Sequence, residues 1–369
     1  MLTSLRNWSD RLLGRGSAAI TVPVMDGALK PNRQLDDATV VAEIAGIDDL
    51  ASDGQQLWIS AGARLLRLQE GQPVLVREFN ENITALAAQA KGTLAVALGG
   101  TQVQLLHTQA DGSLRDGPAL QSLQGQPLHS VNALAFEADG AVLLSDGSQR
   151  RSTDQWCHDL MELGHSGRVA RWQPSTGAVQ SLASGLHHAF GVLSLDGQVL
   201  YSESWKHRVT PASVAGKGTG ALVGELPGYP SRMSAAAGGG FWLSCFVCRS
   251  QLVEFVLREP AYRKRMLQEI DPRYWIAPAL SSGHSFLEPL QGAGVKQMGM
   301  LKPWAPPRSY GLVLRVAADG RILSSLHSQV DGCHHGVTAV IEWGGALWVA
   351  SKGAGRLLRI DLNKAEART

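Results

Sequence analysis

The 369-residue chain is short of charge: only 18% of its residues are Asp, Glu, Lys or Arg, against about 25% in an average soluble domain. What charge there is nearly cancels, 34 Lys and Arg against 32 Asp and Glu for a net +2, so the basic footprint of a nucleic-acid or anionic-membrane binder is missing. Long apolar runs are missing too. The longest, such as Leu94 to Leu98 and Ala346 to Ala350, fall far short of the ~20 residues that span a bilayer. Met1 to Gly16 interrupts its apolar residues with Arg6, Asp10, Arg11 and Arg15, which predicts a short amphipathic helix rather than a secretory signal. These absences predict a cytoplasmic protein with no transmembrane segment and no nucleic-acid partner. Cysteine is scarce: Cys157, Cys245, Cys248 and Cys333 make no disulfide scaffold in so long a chain. Cys245 and Cys248 have Cys-x-x-Cys spacing but lie in a strand-like run, Gly240-Phe-Trp-Leu-Ser-Cys-Phe-Val-Cys, with no second such pair. They read as buried thiols.

Glycine, by contrast, is plentiful at 41 residues, with 16 prolines and 44% hydrophobic residues, a profile of many short elements joined by turns around a large core. The glycines fall into a loose repeat of alternating strands and Gly-containing turns, at Ile47–Ser60, Ile83–Ala97, Val131–Asp146, Phe190–Glu203, Ser231–Ser244 and Gly336–Ser351. Gly54, Gly92, Gly140, Gly197, Gly239 and Gly345 mark the comparable hairpins. A third strand is predicted after each pair, at Arg64, Val103, Gly167, His207, Gln251 and Gly355. One small sheet cannot bury both of its faces alone, whereas radial packing covers each with a neighbour. The pattern predicts an all-β fold, a six-bladed β-propeller over residues 36–369 after an N-terminal extension of 1–35, with Thr39 to Ile44 closing the ring in the last blade. Insertions are expected at about 149–164 and 259–307. The second of these, in the fifth blade, starts with a helix from Pro260 to Ile270, where Pro stands at a favourable first-turn position.

In such a ring the starts of the innermost strands line the central channel. The repeat places Asp48, Thr84, Asn132, Phe190, Ser231 and Thr338 there. Asp48 and Asn132 suit a hard cation and equally suit turn capping or channel water. His187 and His188 precede Phe190, and His334 and His335 precede the last inner strand, so one of each pair is a candidate base at the mouth. Cys157 beside His158 and Cys333 beside His334 form a possible thiol-imidazole pairing. Trp156, Trp275 and Trp304, in the insertions, are candidates for an apolar substrate wall. Asp146 and Glu203, ending second or inner strands, read as structural acceptors.

Leu226-Pro-Gly-Tyr-Pro-Ser-Arg-Met, Gly185-Leu-His-His-Ala-Phe-Gly-Val, Ser202-Glu-Ser-Trp and Val131-Asn-Ala-Leu-Ala-Phe resemble stretches of the strictosidine synthase-like family, in order from about Asp36 to Leu362. The resemblance implies a six-bladed propeller related to paraoxonase-like arylesterases and gluconolactonases, most of which hold calcium in the channel. Carried over residue by residue, it implies calcium ligands at Asp48 and Asn132, while Phe190 replaces one family ligand and Ser231 with Arg232 replaces a pair. Calcium binding is therefore expected to be weakened. Thr338 stands at about the position of the synthase's glutamate base, and a threonine has no accessible pKa for that task, so strictosidine synthesis itself is not expected. The resulting expectation is an enzyme that hydrolyses a small lactone or ester. Its catalytic residues would be His188, His335 and Arg232, its substrate contacts Phe190, Ser231, Trp156 and Thr338, and its metal positions Asp48 and Asn132. A lyase or condensing enzyme acting on an amine or aldehyde, and a non-catalytic small-molecule-binding propeller, stay open as alternatives.

Overall fold

The computed structural model describes residues 22–90, 92–212, 220–283, 288, 296–297, 300–301 and 308–362. The helix expected within Met1 to Gly16, most of the Gly-rich turn at 215–220, and Trp304 lie outside them.

Six antiparallel sheets form a closed ring. Blade 1 runs through Ile47–Ser52, Leu57–Ala61, Arg64–Gln69 and Gln72–Glu78, and blade 2 through Ile83–Gln89, Thr93–Leu98, Gln102–Thr108 and Leu114–Leu120. Blade 3 comprises Val131–Phe136, Val142–Asp146, Gly167–Gln173 and Ala178–Leu186, and blade 4 Ala189–Leu195, Gln198–Glu203 and Arg208–Pro211, with Val223 bridged to Val209. Blade 5 contains Gly228–Ala235, Phe241–Cys248, Gly311–Val316 and Ile322–Ser328, and blade 6 Val337–Trp343, Ala346–Ser351 and Arg356–Asp361. Thr39–Glu43 pairs antiparallel with Arg356–Asp361 as the outer strand of blade 6, so the first and last strands of the described residues close the ring. The hairpins within blades turn on left-handed glycines, for example Gly54 at φ 91° and Gly140 at φ 84°, a conformation that a side chain resists.

Low charge and the alternating pattern explain why the sheets stack radially. Each pair of neighbouring blades shares an apolar layer: Trp58 and Leu65 of blade 1 pack with Ile83, Leu94 and Val96 of blade 2, and the series continues round to Trp348 and Leu357 of blade 6 against Ile47 and Ile59 of blade 1. Burying a side chain such as Ile59, which has no exposed surface, contributes about 1.5–3 kcal/mol. Polar links join the blades near the axis. Ser145 Oγ accepts from Ala133 N and donates to Phe190 O of the next blade. Ser202 Oγ accepts from Gly191 N at 2.6 Å and donates to Ser231 O at 2.8 Å. Ser244 Oγ donates to Thr338 O at 3.1 Å.

In blade 5 the structure departs from the repeat. Gln251–Arg258, expected as the third strand, is a helix: Ser250 Oγ caps it by accepting from Val253 N at 3.3 Å, and Val253 and Val256 are buried on one face. The third strand is instead Gly311–Val316, so the excursion begins a helix earlier than its sequence signal. A second helix, Pro260–Glu269, follows as expected.

Candidate functional site

Every inner strand has a register irregularity near its start, at the second or third residue in blades 1 to 4 and 6 and at the fourth and fifth in blade 5: between Ile47 and Asp49, Ile83 and Ala85, Val131 and Ala133, Ala189 and Val192, Pro230 and Met233, and Val337 and Ala339. A bulge takes a residue out of the ladder and re-aims it, and in blades 1, 2, 3 and 6 a backbone carbonyl at the bulge turns toward the axis. Those carbonyls need partners. They find one in Arg232, whose side chain is 5% exposed as a residue. Its Nε donates to Asn132 O at 2.9 Å, Nη1 to Asp48 O at 2.9 Å and Thr338 O at 3.4 Å, and Nη2 to Thr84 O at 2.6 Å. Asp49 Oδ2 lies 3.0 Å from Nε and Asp48 Oδ2 3.4 Å from Nη2. The Phe190 ring covers the guanidinium, its centroid 5.3 Å from Cζ, so all six blades meet on one cation.

The two carboxylates differ in electrostatics. Burial pushes Asp48 up, but Lys352, with Nζ 3.1 Å from Oδ1, and Arg232 outweigh it and hold the group below its ordinary pKa. Asp49 is pushed up to about 7 by burial, against the pull of Arg232; its oxygens also accept from Leu50 N and Leu86 N, each at 2.8 Å.

The expected metal positions do not fit calcium. Asn132 Oδ1 is buried without a hydrogen-bond partner, and the carbonyl ring supplies oxygens, yet the centre on which those oxygens converge holds a guanidinium whose charge is permanent. Ser231, placed at the channel by the repeat, turns instead into its own blade, with Oγ 3.0 Å from Ser244 O and 2.8 Å from Ser244 Oγ. The bulge in blade 5 spans both Ser231 and Arg232, which brings the second of the pair to the axis. Thr338 Oγ1 donates to Asp48 O at 2.6 Å.

Antiparallel pairing puts the ends of the second strands beside the starts of the inner ones, as in Val131↔Asp146 and Ile47↔Ala61. Both insertions follow second strands, so both lie over the same mouth. Helix Trp156–Met161 and the two helices of blade 5 share a core there: Leu160, Met161, Trp205, Tyr229, Phe246, Val253, Val256, Met266 and Trp275 pack with Phe190. Trp156 stands edge-on to Phe246 at 5.2 Å. Blades 1, 2 and 6 carry only short turns at 62–63, 99–101 and 352–355, and Lys352 keeps 34% of its side chain exposed there.

Under this roof the third-blade insertion supplies a residue that the sequence did not single out. Asp159 Oδ2 lies 3.4 Å from His188 Nδ1 and accepts from Trp205 Nε1 at 2.8 Å, while Oδ1 accepts from Ser148 Oγ at 2.7 Å. Burial pushes the Asp159 carboxyl up, but the bonds from His188, Ser148 and Trp205 more than offset it and its pKa ends low. An ionised Asp159 draws the imidazole proton to Nδ1. His188, held at φ 59° and stacked on Trp205 at 4.4 Å, then turns the Nε2 lone pair toward Asn132 Nδ2, 3.4 Å away in the channel wall. The local signal for Asp159 was only its place beside His158.

The other candidates are committed elsewhere. His335 has Nδ1 2.8 Å from Ser309 Oγ and Nε2 2.6 Å from Gln329 O, and burial lowers its pKa; with both nitrogens engaged it is a neutral brace. Cys333 Sγ is 3.5 Å from His334 Nε2, whereas His158 packs on Trp275 at 4.6 Å and burial pushes the Cys157 thiol up to about 12. Cys245 and Cys248 are buried, their thiols also raised by burial. Asp146 pairs with Arg168 and Glu203 with Arg208, each on the neighbouring strand of its own blade. Among the described residues, no helix is long and apolar enough to cross a membrane.

The strictosidine synthase family model matches residues 132–214, the segment that contains Asn132, Asp159 and His188. The adipocyte plasma membrane-associated protein of Salmo salar is 24% identical over 93% of this chain and 82% of its own length. Strictosidine synthase-like protein 13 of Arabidopsis thaliana is 24% identical over 58% of this chain and 47% of its own. Among solved structures, a gluconolactonase from Xanthomonas campestris superposes with a TM-score of 0.57 at 16% identity, covering 92% of this chain and 94% of that one. The calcium-binding protein regucalcin from Agrobacterium tumefaciens gives 0.51 at 12%, covering 88% and 92%. The chain is thus a six-bladed propeller that resembles the strictosidine synthase-like proteins, as its blade motifs indicated.

Proposed function

We propose that the chain is a hydrolase of small lactones or esters that works at the channel mouth without a metal ion. The observation that carries this reading is the chain Asp159–His188–Asn132: a carboxylate held ionised, an imidazole beside it, and an Nε2 lone pair turned toward the weakly held Asn132 Nδ2, 3.4 Å away in the channel wall. His188 Nε2 would take a proton from water as the water oxygen bonds to the acyl carbon. The proton then passes to the leaving alkoxide as the acyl–oxygen bond breaks, giving a hydroxy acid or an acid and an alcohol. Arg232 is not free for the developing oxyanion, because its N–H groups are spent on the carbonyl ring. Lys352, bound to Asp48 with 34% of its side chain exposed at the mouth, would be the cation for that charge. Likeness to a gluconolactonase in fold agrees with the class of reaction.

The test is turnover of a panel of sugar lactones, simple γ- and δ-lactones and aryl esters. Activity should survive chelator, fall by about 10²–10⁴ in His188→Gln and fall in Asp159→Asn. A panel without turnover, or a His188→Gln rate equal to wild type, sinks the reading. A non-catalytic small-molecule-binding propeller is the second reading, favoured by the sealed centre at Arg232; it predicts ligand-induced thermal stabilisation with no product.

A further inference from the structure

The two positions at which the channel departs from the family's ligand pattern belong to a single arrangement. Phe190 contributes no oxygen, yet its ring lies over the guanidinium that Arg232 brings in. The carboxyl groups of Asp48 and Asp49 face the positive charges of Arg232 and Lys352, so the cluster carries no excess negative charge that calls for a bound ion. A divalent cation added at the centre would meet a fixed positive charge in a site of low dielectric and would need the same oxygens. We propose that Arg232 is the channel's own cation. It does for the ring what a bound calcium would do, drawing the bulged carbonyls of blades 1, 2, 3 and 6 onto one centre, and it makes the protein indifferent to divalent metal. Removal of its side chain leaves Asp48, Asp49, three or more carbonyls and the unpartnered Asn132 Oδ1 around a vacated centre, a donor set of hard oxygens suited to calcium. This inference does not depend on the chain being a hydrolase.

The experiment is titration of wild type and Arg232→Ala with CaCl2, followed by calorimetry and thermal melting, with NaCl controls for screening. Wild type should take up no calcium, and its melting temperature should not move with millimolar CaCl2 or EDTA. Arg232→Ala should melt lower, by on the order of 10 °C, and calcium should restore part of the loss saturably at one ion per chain. One calcium bound per wild-type chain overturns the proposal, and so does a folded Arg232→Ala that ignores calcium. Arg232→Lys covers the case in which the alanine variant does not fold. It keeps the charge and loses the planar fork, and it should melt below wild type and still ignore calcium; a lysine variant as stable as wild type overturns the hub role.

Discussion

At the scale of the residue, buried polar groups decide how the protein responds to pH. His327 has no exposed surface, and Tyr310 and Ser325 hydroxyls lie 3.0 and 2.7 Å from its two nitrogens. Burial pushes its pKa down to about 4, below the ~6.5 of an unfolded chain. The unfolded chain therefore binds this proton first. Stability from His327 is present above pH 6.5 and is lost as pH falls toward 4, by about 2–3 kcal/mol. His187, pushed down to about 4 mainly by burial, acts in the same sense. Asp49 acts in the opposite one, since a folded pKa of about 7 favours the folded state as pH falls from 7 toward 4. Denaturant titrations at pH 7 and pH 4.5 should show His327→Gln losing less stability on acidification than wild type; equal losses would remove His327 from this role. Little of this was legible in the sequence. Asp48, Thr84, Asn132 and Thr338 were found by repeat position, because a bulge of the same kind recurs at each. Ser231 was misplaced because the blade 5 bulge spans two residues, and His335 because adjacency to an inner strand says nothing of which way a ring points.

At the scale of the element, the strands were read well and the excursions less so. Strand alternation with a Gly turn is a local signal, which is why the hairpins of all six blades were visible. Gln251–Phe255 has the apolar content of a strand in a short window, and only Ser250 as a cap and the burial of both Val253 and Val256 separate it from one. Helix Trp156–Met161 brings Asp159 to His188 through tertiary packing, for which no sequence period exists. The serine links between blades are likewise short-range in structure but distant in the chain. Ser202→Ala should cost about 1–3 kcal/mol, because Gly191 N and Ser231 O both lose a buried partner. Ala97 occupies the same place in blade 2 without such a link, and Ala97→Gly offers a control for backbone effects in the urea titration that measures both.

At the scale of the whole molecule, closure depends on one five-residue strand. Thr39–Glu43 pairs with Arg356–Asp361, and just before it Leu35, fully buried, donates its N–H to His327 O at 3.1 Å, so the segment ahead of the first blade is tied to blade 5 as well as blade 6. A chain starting at Ala45 should leave the edge of Arg356–Asp361 open. It should melt less cooperatively and associate through that edge, as read by calorimetry and size-exclusion chromatography; a monomer with the wild-type transition would show that the ring holds without its clasp.

The same clasp imposes an order on biosynthesis. Thr39–Glu43 is made before blade 1, and its strand partner among the described residues, Arg356–Asp361, is made after the other strands of blade 6, so a nascent chain can assemble blades 1 to 5 one against the next while Thr39–Glu43 waits for that partner. Sealing of the ring, and with it the gathering of blade 6's Thr338 carbonyl and blade 1's Asp48 onto Arg232, becomes a late event of high contact order. Until then the Arg232 charge has only part of its cage, and a chaperone that shields one waiting strand would protect the whole ring.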